Sequence, residues 1–385
     1  MEHGRRAVAA TLLAALAASQ AALVVLNPVL PEIAADLDVS IATAGQLRTV
    51  SGLIAGATAL ATGLLAARIG LRELLGGGLA ILAVGSAVSA VAPSFLALAL
   101  AQALVGAGIG ISYSGAVAAA AEWAAPGDRS RVLAVALLGP PLAWIVGMPV
   151  VGLVGEVSWR LAWIAVPLTS AVAAGVLLAR RPSTPPAALR ADLRAVLGHA
   201  GVARWSAGEL LAFSGWAGSL VFMGALFVES YDLSTAATGF VLGFGALVYV
   251  PGNLLFRRWV DSHDRVLLVG LATAAGITAA VLCLFRPSLW FSIAAFSVLS
   301  FLAGGRTLAG SSRALHLAPS LRLGVTGVRT AALQLGYFVG AAIGGAALGA
   351  AGYTGLGIAL GVLFAAATIP PLWPAKASSP AAPLP

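Results

Sequence analysis

The chain has 385 residues, of which 60% are hydrophobic and only 9% charged. A soluble domain carries about 25% charged residues, so this composition leaves too little polar surface for a water-soluble fold. The formal net charge of +8 does not mark a nucleic-acid binder: the basic residues lie in short loops between apolar runs, where the positive-inside rule accounts for them.

A crossing of the ~30 Å hydrocarbon core takes roughly 20 apolar residues. Stretches of that kind fall at 7–28, 43–67, 73–92, 95–119, 131–155, 161–179, 205–228, 236–256, 266–285, 289–312, 324–349 and 353–373. The expected fold is an all-α membrane protein with twelve transmembrane helices. The first stretch has no small-residue cleavage site and runs into further spans, so it reads as a retained helix rather than a signal peptide.

Alternate connections differ in charge. One set holds Arg5, Arg6, Arg68, Arg72, Arg129, Arg131, the arginines of 180–204, Arg257, Arg258, Arg265, Arg313, Arg322 and Lys376. The other holds Arg160 and Arg286 with the acids Glu32, Asp36, Asp38, Glu229 and Asp232. This asymmetry predicts both termini in the cytoplasm. The longest connection, RRPSTPPAALRADLRAVLGHAGVAR over 180–204, opens Pro-rich, as linkers do, and Ala188 to Leu197 has the pattern of a short amphipathic helix. The expected division is a six-helix half over 1–180, a cytoplasmic linker over 181–204, a second six-helix half over 205–373 and a disordered cytoplasmic tail over 374–385. An internal echo fits two structural repeats: GLLAARIGLRE follows the second span and GNLLFRRWVDSHDR the eighth.

Several chemistries lack their residues. A single cysteine, Cys283, allows no intramolecular disulfide. The four histidines, His3, His199, His263 and His316, have no metal-ligand spacing. Neither H-E-x-x-H nor G-x-S-x-G occurs, so an enzyme is not expected. The nucleotide-motor motif G-x-x-x-x-G-K-[ST] is also absent, so active transport would draw on an ion gradient. No cofactor or metal is expected.

Charges inside the spans are informative because each costs roughly 2.5–3.5 kcal/mol at the bilayer centre on insertion scales. Glu209 is the carboxylate well inside a span, near the start of the seventh. Two readings are open: it sits at the headgroups, or it carries a proton or partners a buried arginine. Arg306 and Arg329, at similar depth, either snorkel or pair. Arg48 enters the second span from the other side, where it either pairs with Asp36 or Asp38 or binds an anionic substrate group. Gln102 lies at a similar depth. Gln20, Asn27, Tyr113, Trp144, Trp216, Tyr249, Asn253, Gln334 and Tyr337 supply further polar and aromatic groups toward mid-span. Together they predict a mostly apolar cavity suited to a neutral or lipophilic substrate. Glycine pairs such as Gly106/Gly110, Gly340/Gly344 and Gly147/Gly155 suit close helix crossings, and Pro140, Pro141 and Pro149 would bend the fifth helix.

The chain resembles the major facilitator superfamily, in particular its twelve-helix drug:proton antiporter branch with the arabinose-efflux-like exporters. The residues that carry the resemblance are LNPVLPEIAADLDVS at 26–40, then Gly63, Arg68, Gly70 and Arg72 in the family's G-x-L-x-D-R-x-G-R loop. GPPLAWIVGMPVVGLVGEVSWR over 139–160 matches its exporter-type fifth helix. The loop motif's acidic position is Ala67 here, while Asp261 holds the analogous place in the second half. Gln102 stands where the fourth helix usually has Arg, and the first helix, with Gln20 and Asn27, lacks the branch's usual acid. The resemblance implies gating by the Gly63–Arg72 loop, Asp261, Pro140 and Pro149. Because helices seven and ten flank the family's central cavity, it also suggests a Glu209–Arg306 pair. The implied function is a secondary active transporter, a proton-coupled exporter of a small lipophilic or neutral compound (drug, natural product or sugar) by alternating access. The expected setting is a bacterial cell membrane, as a monomer, with protons as coupling ion. Two alternatives stay open: an uncoupled facilitator or importer of the same fold, and a transporter-like sensor or assembly partner.

Overall fold

The computed structural model describes residues 2–125, 127–179, 196, 198–317 and 322–373. The expected helix at 188–197, apart from Val196, and the tail at 374–385 lie outside the described residues.

Twelve long helices run through the described chain. α1 is Glu2–Val25, α2 Ile41–Ile69, α3 Leu71–Ala90, α4 Phe95–Trp123, α5 Gly139–Val157 and α6 Ala165–Ala179. α7 is Ala200–Tyr231, α8 Thr235–Leu255, α9 Asp264–Leu284 and α10 Leu289–Leu317. The helical run Arg322–Ala366 breaks at Ala351 and Gly352, which divides it into α11 (322–350) and α12 (353–366). Short helices Leu30–Asp36, Arg129–Ala136, Trp159–Ala162 and Ile369–Leu372 flank the long ones. Ten described helical stretches have the length and apolarity to cross a membrane. The last of these contains the break at Gly352, and the 29-residue α2 completes the twelve.

Local chemistry sets the ends. Ser40, Ser94 and Ser234 cap α2, α4 and α8, each side chain accepting a bond from a backbone N–H three residues on. Gly70 adopts φ +81° between α2 and α3, a left-handed conformation that a side chain disfavours, so two spans meet there with no loop. Pro140 and Pro141 sit in the first turn of α5, where a missing N–H costs nothing. Two ends differ from expectation. The fifth span is preceded by a separate helix, Arg129–Ala136, that stops before Pro140. α7 begins at Ala200, so its first turn takes up the last residues of the expected linker.

The burial pattern is that of a membrane protein turned inside out. Val84, Leu168, Val172, Phe240, Ile277, Trp290 and Val362 are exposed, whereas Gln20, Asn27, Arg48, Gln102, Glu209, Arg306 and Gln334 are buried. Lipid solvates the former and helix neighbours the latter. The two sets of six helices pack through α2 against α11 and α5 against α8, with α7 enclosed by α11, α12 and α10. Small residues allow this approach: a Cβ at Gly52 would lie 2.5 Å from Phe338 N, and one at Gly152 would lie 2.7 Å from Thr235 O.

Candidate functional site

The buried polar residues form two clusters. The first is built on α1, α2 and α11. Arg48 is 0% exposed and donates from Nη2 to the Leu23 carbonyl and to Asn27 Oδ1, the latter at 3.4 Å. Its guanidinium carbon lies 5.4 Å from the ring centroid of Tyr337, a cation–π contact between helices of opposite halves. Nε and Nη1 have no hydrogen-bond partner among the described residues. The expected pairing with Asp36 is not formed, because Asp36 is taken by Arg160 at 2.6 Å. Nearby, Trp144 Nε1 on α5 donates to Gln20 Oε1 on α1 at 3.0 Å, fastening the proline-bearing helix to α1. Gln334 lies one turn before Tyr337, 4% exposed, with Oε1 unpartnered among the described residues.

The second cluster is built on α7, α10 and α11. Glu209 is 3% exposed and lies nine residues inside α7, buried against neighbouring helices. Arg306 Nη1 donates to Glu209 Oε1, and Arg306 Nη2 to the Gly208 carbonyl at 3.3 Å. Arg329 Nε lies 3.8 Å from Glu209 Oε2. One carboxylate thus faces two guanidiniums from two different helices. Glycine makes this possible, since a Cβ at Gly310 would lie 2.1 Å from Glu209 Oε1. Trp216, one face up α7, stacks 5.8 Å from Tyr249 of α8 and 6.4 Å from Phe296 of α10. Arg329 Nη2 donates to the Thr307 carbonyl of α10 at 3.5 Å, and Tyr113 of α4 is half-buried. A gap of about 10 Å³ bordered by Glu209, Trp216, Arg306 and Thr307 has room for about one water.

Phe213 joins the clusters. It sits one turn past Glu209 on the same face of α7 and meets Tyr337 edge-on at 5.4 Å. The sequence reading missed Phe213, Phe296 and Thr307, although a spacing of four from Glu209 marks Phe213. Other candidates lie apart. Gln102 donates to Ser89 Oγ at 3.0 Å and so turns toward α3. Asn253 is half-buried, its backbone against Gly304 of α10. At the gating loops Arg68 is exposed and Arg72 half-buried. Gly63 lies within α2 and Asp261 accepts from Ser312 Oγ at 2.8 Å. Pro140 opens α5, and Pro149, inside it, meets the surface of Gly243 on α8.

The end of the bundle bearing the acidic loops is tied across the halves, which the sequence reading also missed. Thr235 Oγ1, at the start of α8, donates to Glu32 Oε1. Glu156 Oε2, at the end of α5, accepts from Ala236 N at 3.1 Å and Ser234 Oγ at 3.4 Å. Two carboxylates of the first half therefore lie on the positive end of the α8 dipole. Burial pushes the Glu32 carboxyl above its ordinary value, while the hydrogen bond from Arg160 holds that of Asp36 below it.

Residues 12–276 match the family model of the Major Facilitator Superfamily. The chain belongs to that family. A chloramphenicol efflux pump of Mycobacterium tuberculosis strain H37Rv is 27% identical over 339 residues, covering 82% of this chain and 79% of that one. Its counterpart in strain CDC 1551 matches to the same extent. Among solved structures, a bacterial homolog of the human lysosomal transporter Spinster superposes with a TM-score of 0.77 at 14% identity over 96% of each chain. The human organic anion transporter MFSD10 superposes with a TM-score of 0.73 at 16% identity, over 95% of this chain and 99% of its own. These likenesses show the twelve-helix transporter fold, in a multi-pass protein of the plasma membrane.

Proposed function

We propose that this member of the family is a proton-coupled exporter of a small lipophilic or neutral compound. The observation that carries the reading is Glu209: a carboxylate 3% exposed inside a membrane helix, held by Arg306 and Arg329 beside an aromatic wall of Trp216, Tyr249 and Phe213. A buried carboxylate there is costly and has one evident use, to exchange its guanidinium partners for a proton as the halves rock. The aromatic faces supply apolar contact area for a substrate, and Arg48, Gln334 and Tyr337 supply polar tips. The ties of Glu32 and Glu156 to the start of α8 close the acidic-loop end. With both termini cytoplasmic that end faces outward, so substrate enters this arrangement from the cytoplasm. The likeness to a chloramphenicol efflux pump supports export and a lipophilic substrate class.

The test is accumulation of chloramphenicol, lipophilic dyes and sugars in cells lacking their own efflux pumps, with and without the protein and with and without a protonophore. Lower accumulation that the protonophore abolishes, and that Glu209→Gln abolishes, supports coupled export. Transport that persists in Glu209→Gln and ignores the protonophore supports the second reading, an uncoupled facilitator, which the uncharged Gln20, Asn27 and Gln102 favour.

A further inference from the structure

A separate cavity of about 410 Å³ lies wholly within the second half, at the arginine-rich end, between the start of α7, the start of α9, the end of α10 and the short helix Ile369–Leu372. Its size is that of a small-molecule site, and its lining is cationic. Arg204, Arg265, Arg306 and Arg313 all border it, with His199. Two nearby carboxylates answer them: Asp264 pairs with Arg313 at 2.5 Å and Glu209 with Arg306. Among the described residues the lining is thus mainly basic, with Arg265 exposed at its edge and Arg204 Nε donating to the Ala200 carbonyl at 3.2 Å. Arg306 borders both this cavity and the small gap beside Trp216 and Thr307. It is 4% exposed, and its Nε is buried with no hydrogen-bond partner among the described residues. An unmatched charged donor in such a place costs free energy unless an acceptor arrives.

The outer rim has a different character. Ile369, Leu372 and Trp373 are exposed by 55%, 62% and 63%, and Trp373 lines the cavity with Pro370. A basic interior opening past an apolar, Trp-bearing edge has the layout of a headgroup site between membrane helices. Arginine's planar fork fits phosphate oxygens in pairs, so phosphate is the acceptor that this donor set recognises best.

We propose that this cavity binds an anionic phosphate group, carried by an acidic phospholipid or free in solution, through Arg204, Arg265 and the unpaired Nε of Arg306. Its occupant reaches the guanidinium that holds Glu209 on the other side. If Glu209 couples transport as proposed above, occupancy tunes that coupling; the binding itself does not depend on that reading.

The experiment is native mass spectrometry of the purified, delipidated full chain with phosphatidylglycerol, phosphatidylcholine or inorganic phosphate. Binding of phosphatidylglycerol over phosphatidylcholine is expected, weakened at least tenfold in Arg204→Gln/Arg265→Gln and unchanged in Arg129→Gln/Arg131→Gln, which alters the same bilayer end of the first half. Arg265 is exposed, so Arg265→Gln alone keeps the test available if the double variant does not fold. Phosphatidylglycerol binding that millimolar phosphate does not displace identifies a lipid. Phosphate binding without phosphatidylglycerol binding identifies a free anion. Absence of both, or an equal loss in the first-half control, overturns the proposal. Because the readout is binding, this outcome stands apart from any failure of Glu209→Gln to abolish transport.

Discussion

Arg48 of α2 lies over the ring of Tyr337 of α11, 5.4 Å from its centroid, with no ion-pair partner among the described residues. A fully buried guanidinium with two unpartnered nitrogens is expensive; each unmet donor costs about 1–3 kcal/mol. Arg48→Met removes the charge and keeps most of the volume. It is expected to raise thermal stability, or leave it unchanged, while lowering transport at least tenfold, since replacing buried ions by apolar groups is often neutral or stabilising by about 1–4 kcal/mol. Melting followed by size exclusion, together with cell accumulation, checks both halves of the expectation. A variant that is less stable but transports normally would show that Arg48 holds structure alone.

Glu209 and Arg306 make the opposite case. Removing one partner of a buried pair strands the other charge, at about 3–5 kcal/mol. Glu209→Gln is expected to melt well below the parent, and Glu209→Gln/Arg306→Gln to recover most of the loss without recovering transport. Arg329, 3.8 Å from Glu209, keeps part of the mismatch in the double variant, so recovery is incomplete. A double-mutant cycle on purified protein gives the coupling, and strictly additive losses would contradict the pairing.

Gly106 and Gly147 separate glycines that are needed from those that are incidental. A Cβ at Gly106 would sit 2.3 Å from the Ser51 carbonyl oxygen of α2, a backbone atom that cannot turn away, whereas one at Gly147 would sit 3.4 Å from Val24 Cγ1 in near-ordinary contact. Gly106→Ala is expected to cost about 1–3 kcal/mol by overpacking, and Gly147→Ala to be close to neutral. Melting temperatures of the two variants decide it.

The tie between Glu32 and Thr235 has a pH dependence of defined sign. Burial raises the Glu32 carboxyl above 4.5, so the closed arrangement binds its proton more tightly than an open one. Acidification toward the window above 4.5 therefore favours closure, and closure weakens as pH rises through the raised value. Glu156 is the other carboxylate that bears on Glu32. Asp36 works the other way: its value lies below 3.8, so its bond to Arg160 is lost only as pH falls below that. In a Cys283→Ala background, spin labels at positions 91 and 285 are expected to move apart as pH is raised from 4.5. Glu32→Gln should make that distance short and pH-independent, and an unchanged pH response would assign the effect to another group.

The twelve apolar stretches, their loop charges and the glycine and proline stops were legible in the chain itself, because lipid demands that each span satisfy its own backbone and be apolar along its length. That constraint acts one helix at a time, so it can be read locally. Glu209 stood out by the same logic, as a charge in a place where charge is costly. Which helices meet is a property of three-dimensional packing, and no span shows its partner. The sequence offered Asp36 or Asp38 to Arg48, but folding gave Asp36 to Arg160 and left Arg48 with a carbonyl, an amide and an aromatic face. Gln102, level with Arg48 in depth, turns to Ser89 instead. The ties of Glu32 and Glu156 to α8 span roughly 80 to 200 residues of chain, and the arginine cavity draws on four separate segments. Helix identity is decided by composition over twenty residues at a time; the site is decided by rotation and depth of one helix against another, which only the tertiary structure sets.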